Sequence, residues 1–595
     1  MQDSGSIPAA CPYRPAGRRW GRLAAMGRSL AAMGRPAAAG AVVVALAACG
    51  AADAGDGPQP PDKGGTLRLV VSVMPEHLDP QRISAATDIN ISRLVTRTLT
   101  TFRSEPGSAS SEIVGDLATD TGRPSESNQV WEFTLKRGVK WQDGSLVTCP
   151  HIKYGVERNF SHLFTSGLQY PRQLLADNSP AYQGPFKGSN VGLQSVSCVD
   201  NSTVRFRLKQ PMGDFGYAVS LPVFAPVHPE KDRNKNEYDR RPFATGPYKI
   251  IESTDKRIVM TRNDFWVATT DGVRKAYPDR VEVVLDKNVP AVTYGILQDQ
   301  GDARNTVLLD QDIAPNFVQQ IINDEKLSQR LVQGSHTGVR YLAINMRLIP
   351  DVRCRQALVY AVNKRKFRSA MGGSMFGELA TSIISPILRA HKKFDLYSTG
   401  TKPEGDRERA RQLLTEAGRA CPTTVRVAYP DGPVRKRLIQ TVIESFQYAG
   451  IQAVPVPVDP AQVDYFDQAI GNPNNDYHVM WAGWVADWAN GSAVIPPLFS
   501  SKVIPKGETA TGNKNFALFE DPEVDRLIDE AMAEANLEAQ WRLWGELDER
   551  IQEKAPIIPM LYQKALRIAG SNVRGGFIHP AFGQPDVCAL GLATV

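Results

Sequence analysis

The chain has 595 residues, 42% of them hydrophobic and 22% charged, with a formal net charge of +6. At roughly 100–200 residues per domain this is length for about three or four domains with real cores, and 42 prolines and 48 glycines without a three-residue period exclude collagen-like and wholly disordered chains. A basic chain suggests nucleic acid or anionic lipid as a partner, but residues 1–48 hold six arginines and one acid, and the remainder of the chain is nearly neutral, with 63 basic against 62 acidic residues.

The first segment reads as an export signal. Arginines precede a 13-residue apolar stretch, residues 36–48, which is shorter than the ~20 residues a membrane-spanning helix needs and fits a signal-peptide core. Met26 is the expected start, because it gives a leader of ordinary length with Arg28 and Arg35 ahead of the core. Arg18-Arg19 is not followed by residues that fit a twin-arginine signal. The core ends in Leu46-Ala47-Ala48-Cys49-Gly50, which resembles the lipobox of bacterial lipoproteins and implies lipid on Cys49. Residues 51–63, small, polar and proline-containing, read as a flexible tether. No later stretch approaches ~18 continuous apolar residues. The body is therefore expected outside the cytoplasmic membrane, anchored to its outer face. In that oxidising setting Cys149, Cys198, Cys354, Cys421 and Cys588 suffice for two bridges and one thiol. Chain order favours Cys149 with Cys198 and Cys354 with Cys421, one of roughly fifteen arrangements.

The body opens on TLRLVVSV after Gly64-Gly65, a run of β-branched residues that predicts a strand. INISRLVTRTL, residues 89–99, has helical spacing. Trp131, Phe133 and Leu135 alternate with polar residues, as do Val204, Phe206 and Leu208; both patterns predict half-buried strands. Residues 248–263 read as a hairpin turning at Thr254-Asp255-Lys256. From Asp351 helices dominate: residues 351–367 place Ala357, Leu358, Ala361 and Val362 on one stripe behind an Asp351 N-cap. ERARQLLTEAG stops at Gly418, and Asp521-Pro522 opens a further helix. Strands at 423–429 and 477–483 separate them, so the class is mixed α/β.

Enzyme signatures are missing. The sequence has no H-E-x-x-H, G-x-S-x-G or P-loop motif, and no two of its eight histidines lie three or four apart. The one S-x-x-K, at Ser253–Lys256, falls in the predicted hairpin turn without its companion motifs. No enzymatic activity and no cofactor or metal are expected.

Several stretches, in order, resemble the extracytoplasmic solute-binding proteins of family 5, the dipeptide- and oligopeptide-binding lipoproteins of peptide ABC transporters. They are WEFTLKRGVKWQDGSLVTCPHIKYGVERNF (131–160), FATGPYKI (243–250), NDFW (263–266), DVRCRQALVYAVNK (351–364), ARQLLTEAG, AGWVADW (482–488) and EKAPIIPMLY (553–562). The resemblance implies a two-lobed, hinged clamshell of periplasmic-binding-protein type, with an additional mixed α/β domain inserted in the first lobe. Lobe 1 would comprise residues 63–101, 224–335 and 566–595, the extra domain 102–223, and lobe 2 residues 336–565, with hinge crossings near Tyr341–Asn345 and Leu561–Leu566.

The same resemblance implies a ligand site at Gly483, Trp484, Asp487 and Trp488, with Trp481, Tyr341 and Asn345 nearby. Asp487 would hold the ligand's α-ammonium group: a cation withdrawn from water needs an opposite charge. For a ligand carboxylate no arginine lies between Arg437 and Arg526, which leaves Arg340 or Arg347 near the hinge. The implied function is that of a monomeric peptide-binding subunit handing ligand to a membrane permease with a separate ATPase. Other ligands of the family (nickel complexes, haem, sugars), a peptide sensor and, more distantly, a lipid-anchored hydrolase are the alternatives.

Overall fold

The β-branched runs gather into three main sheets in the computed structural model, which describes residues 60–593 apart from 165, 177–181, 188–191 and 508. The leader, Cys49 and the tether as far as residue 59 lie outside the described residues. In the first lobe Thr66–Val71 is an interior strand, parallel to Thr306–Leu308 on one side and Arg280–Leu285 on the other. The hairpin of Tyr248–Ser253 and Arg257–Arg262 continues the sheet antiparallel. A strand flanked by two parallel neighbours is covered on both faces, and Leu67, Leu69, Val70 and Val71 are buried accordingly.

A smaller antiparallel sheet orders Arg123–Ser125, Val130–Thr134, Thr203–Arg207 and Val196–Asp200. Its inward-facing Phe133 and Phe206 pack edge to face, with Phe215 and Phe224 completing the cluster. The Cys149–Cys198 bridge ties the helix Cys149–Arg158 to this sheet. Buried charges tie that helix to the first lobe: the Arg158 guanidinium donates to Asp79 at 2.8 Å and lies 2.9 Å from Asp232. The second lobe carries a six-stranded sheet in the order Gly377–Leu379, Ile557–Ile568, Leu331–Ile344, Val479–Trp484, Val425–Pro430 and Ala453–Val458. Its second bridge joins Cys354 to Cys421, and Cys588 is a buried thiol.

Two predicted helices differ. Residues 89–99 are helical only within Ala86–Ser92. Beyond Ser92 the carbonyls of Leu94 and Val95 accept from Tyr248, Thr245 and Gly246, and Arg97 is drawn into a buried cluster with Asp116, Asp271 and Arg274. Those tertiary bonds outcompete helical ones. The run after Asp351 is two helices, Val352–Ala361 and Lys364–Met371, because Asn363 leaves helical geometry to cap the second with its side chain. Val362 therefore falls in the break.

The long antiparallel pair Leu331–Ile344 and Ile557–Ile568 joins the lobes. Val332 and Ala565 pack in the first-lobe core, whereas Val339 and Tyr562 pack with the second, and the register is irregular between Ser335 and Val339. The chain thus crosses near Ser335–Gly338 and near Gln563–Lys564. The expected crossing at Tyr341–Asn345 is displaced: Tyr341 is inside the second-lobe sheet, bonded on both sides.

Candidate ligand-binding site

The strand Val479–Trp484 ends where Trp484 turns its indole NH to the carbonyl of Ala493, 2.8 Å away. The chain then runs out over the gap between the lobes. There Asp487, half-buried, lines a narrow cavity of about 20 Å³. The opposite walls are Arg93 and Thr96 of the first lobe and Phe102, Leu221 and Pro222 of the extra domain. A cavity of this size has room for about one water molecule.

The charges around this cavity are unequally satisfied. Arg93 is neutralised by Asp586 at 2.7 Å and lies over the Phe582 ring. Asp487 has no cation within ion-pair distance among the described residues. Its partner is the Tyr170 hydroxyl of the extra domain, which donates to Oδ2. Burial raises the Asp487 carboxyl above its ordinary range, opposed by the Tyr170 bond and by Lys514. Tyr170 is held well above its usual value by burial and by Asp487 itself. The arrangement can accept a cation, and a cation would restore full charge to the carboxylate.

Trp488 is buried beside this pair, its ring 5.1 Å from that of Tyr170 and its indole NH bonded to Ser492. Ser492 and Asn490 both donate to the buried Asp214 of the extra domain, whose carboxyl is also raised by burial. Gly213 lies against the carbonyl of Glu534 so closely that an added Cβ would sit 1.8 Å from it. The second lobe and the extra domain are therefore in tight contact around the cavity, with Arg389 and Glu112 paired across them.

The remaining candidates are placed differently. Gly483 stands opposite Arg340 in the strand register. Tyr341 is 2% exposed and packs in the sheet core. Asn345 is buried and accepts from the amides of Arg347 and Leu348, so it shapes a turn instead of facing the cavity. Arg347 is paired with Glu520 at the surface. Sequence reasoning missed Tyr170 and the first-lobe wall, because no local motif marks them. Ser253–Lys256 lies in and beside a hairpin turn. No cluster of three or more metal-ligating side chains occurs among the described residues, and none of their helices is long and apolar enough to cross a membrane.

Comparisons with known proteins agree with this architecture. The family model of bacterial extracellular solute-binding proteins, family 5, matches residues 112–506. The glutathione-binding protein GsiB of Salmonella choleraesuis (strain SC-B67) is 23% identical over 476 residues, covering 77% of this chain and 82% of the relative. Among solved structures, clavulanic acid biosynthesis oligopeptide binding protein 2 is 30% identical with a TM-score of 0.82, over 90% of this chain and 96% of that one. The unliganded open form of MppA, a periplasmic murein tripeptide binding protein, shares the fold at 18% identity and a TM-score of 0.70, over 91% and 99%.

Proposed function

The chain belongs to the bacterial extracellular solute-binding proteins of family 5, and from that premise we propose that it is the lipid-anchored, peptide-binding subunit of an ABC importer. It captures dipeptides or oligopeptides between its lobes and hands them to a permease driven by a separate ATPase. It acts as a monomer, without catalysis, on the outer face of the cytoplasmic membrane, held by lipid on Cys49. The division into lobe 1 (63–101, 224–335, 566–595), extra domain (102–223) and lobe 2 (336–565) belongs to this reading. The three separate sheets support it.

The observation that carries the proposal is Asp487, a half-buried carboxylate facing an interlobe cavity with no cationic partner among the described residues. A buried carboxylate without a counter-charge is costly, and a ligand ammonium group removes that cost. Contacts to both lobes then favour the closed state. The named relatives, which bind glutathione, oligopeptides and a murein tripeptide, support an ammonium-bearing peptide as the ligand class.

The test is to incubate the purified protein with a peptide library, recover bound species by mass spectrometry and measure thermal shifts. Free-amine peptides bind and their N-acetylated counterparts bind more weakly. Asp487→Ala abolishes that difference. Equal binding by the parent and Asp487→Ala overturns the amine anchor, and recovery of cleaved peptides with turnover overturns the transport reading in favour of a hydrolase.

A further inference from the structure

Several acids in this protein are deeply buried beside a cation. Asp116 meets Arg97 and Arg274, Asp79 and Asp232 meet Arg158, and Asp586 meets Arg93. Asp214 of the extra domain is 2% exposed and meets none among the described residues. Its Oδ2 accepts from Asn490 Nδ2 at 2.7 Å and from the Ser492 hydroxyl. Its Oδ1 is enclosed without a hydrogen-bond partner.

The position of these donors in the fold matters. Arg158 fastens the extra domain to the first lobe through Asp79 and Asp232, whereas Asn490 and Ser492 belong to the second lobe. The long strand pair crosses between the lobes near Ser335–Gly338 and Gln563–Lys564, so a rotation of the second lobe there carries both donors away from Asp214. The Gly213 amide, which donates to the carbonyl of Met532 at 2.8 Å, and the Asn128 side chain, which donates to that of Ala533 at 2.8 Å, part along the same line. The donors also lead back to the cavity. Trp488 donates its indole NH to Ser492 Oγ at 2.8 Å, and Trp488 follows Asp487 directly. Asn490 is steadied by Gln540, whose Oε1 is 2.7 Å from Nδ2. Asp214 thus grips the segment that carries Asp487, and it does so with the lobes shut to a cavity of about 20 Å³.

An ionised Asp214 fits this place badly, because two neutral donors on one oxygen and none on the other leave a buried charge uncompensated. A proton on Oδ1 discharges the group while Oδ2 keeps both donors, and burial raises the carboxyl in the same sense. Its surroundings offer no relief. The Tyr217 phenol is kept neutral by burial, Arg389 beyond it is already paired with Glu112, and Asp487 with Tyr170 lies across Trp488. Once the lobes part, Asp214 faces water and ionises as an ordinary carboxyl.

We propose that Asp214 is a positioning residue that latches the closed form: as a neutral acid it holds the segment Asp487–Ser492, so closing takes up a proton and opening returns it to solvent. Between pH 3.8 and the raised value of the closed form, closing therefore becomes less favourable as pH rises. The inference rests on the hinge closure in the proposed function and not on a peptide being the solute.

The test places dyes on the full chain at two exposed positions, Asn201→Cys in the extra domain and Glu404→Cys in the second lobe, and reads the closed-to-open ratio of ligand-free protein by single-molecule energy transfer from about pH 4 to about pH 8. The ratio falls with rising pH in the parent. Asp214→Asn, neutral throughout, removes about a factor of ten per pH unit from that slope within the window and is the more closed protein above it. Asp487 also titrates on closing, so the comparison is repeated in Asp487→Asn, where the effect of Asp214→Asn persists. Ser492→Ala, which leaves Asp214 in place, lowers the ratio about fivefold at acid pH. Equal slopes for the parent and Asp214→Asn, or a Ser492→Ala protein as closed as the parent at acid pH, overturn the latch. If no peptide binds while the pH-driven closing and its loss in Asp214→Asn hold, the peptide reading fails and the latch stands.

Discussion

At the scale of single residues, the proposed site turns on the hydrogen-bonded pair of Asp487 and Tyr170. The raised carboxyl of Asp487 gives a pH signature. An ammonium ligand requires the ionised carboxylate, so wherever the free protein holds a proton there, binding expels it. Affinity for free-amine peptides therefore rises with pH from the unshifted value of 3.8 upward, through the raised value. Titration calorimetry at a series of pH values from 3.8 upward, in buffers of different ionisation enthalpy, reads this as proton release, which Asp487→Asn abolishes. Tyr170→Phe removes the one hydroxyl donated to Asp487. It lowers ligand-free stability by about 1–3 kcal/mol, as expected when a buried acceptor loses its partner; chemical denaturation measures it. The Asp487 segment was legible through its resemblance to AGWVADW, whereas Tyr170 was not, because it lies 317 residues away in the chain.

At the scale of elements, caps and bridges decide local order. Sequence signals located the helices Arg407–Ala417 and Pro522–Ala533, because Asp406 and Asp521 accept from their first-turn amides and Gly418 ends the former. They did not reveal that Arg97 leaves its helix for a buried charge cluster, since its acidic partners come from segments distant in sequence. The Cys354–Cys421 bridge closes a separation of 67 residues in the second lobe. Replacing both cysteines by serine costs roughly 2–4 kcal/mol of stability, seen as a lower denaturation midpoint. The parent shows at least that loss in reducing agent, which opens the Cys149–Cys198 bridge as well. Gly213 is the most constrained contact between the extra domain and the second lobe. Gly213→Ala forces these bodies apart and weakens ligand binding, with small-angle scattering showing a larger radius of gyration.

At the scale of the molecule, stability depends on histidines kept neutral. Burial lowers His579 to about 3, well below its ordinary 6.5. Below pH 6.5 the unfolded chain takes up a proton there that the folded protein refuses, so this contribution to stability is lost as pH falls towards 3. His579→Gln removes the term. The stability gap between parent and variant therefore narrows by about 2 kcal/mol between about pH 7 and pH 5. Denaturant melts across that range measure it; a constant gap refutes it. Asp548, raised to about 6 by burial, acts with the opposite sign: between pH 3.8 and 6 its contribution grows as pH falls.

Sequence by itself determined the α/β class, several of the strands and the capped helices, because these arise from periodicity and end signals within a few residues. It also separated the charged leader from a nearly neutral body and excluded the common enzyme motifs. Tertiary structure alone decided where the chain crosses between lobes, which first-lobe and extra-domain residues face Asp487, and that Asn345 turns a loop away from the cavity. It also decided that Arg340 is not among the residues lining the cavity that Asp487 faces, while Arg347 is paired at the surface. The reason is physical. Burial and counter-charge depend on what segments hundreds of residues apart bring within a few ångströms, and no local pattern records that.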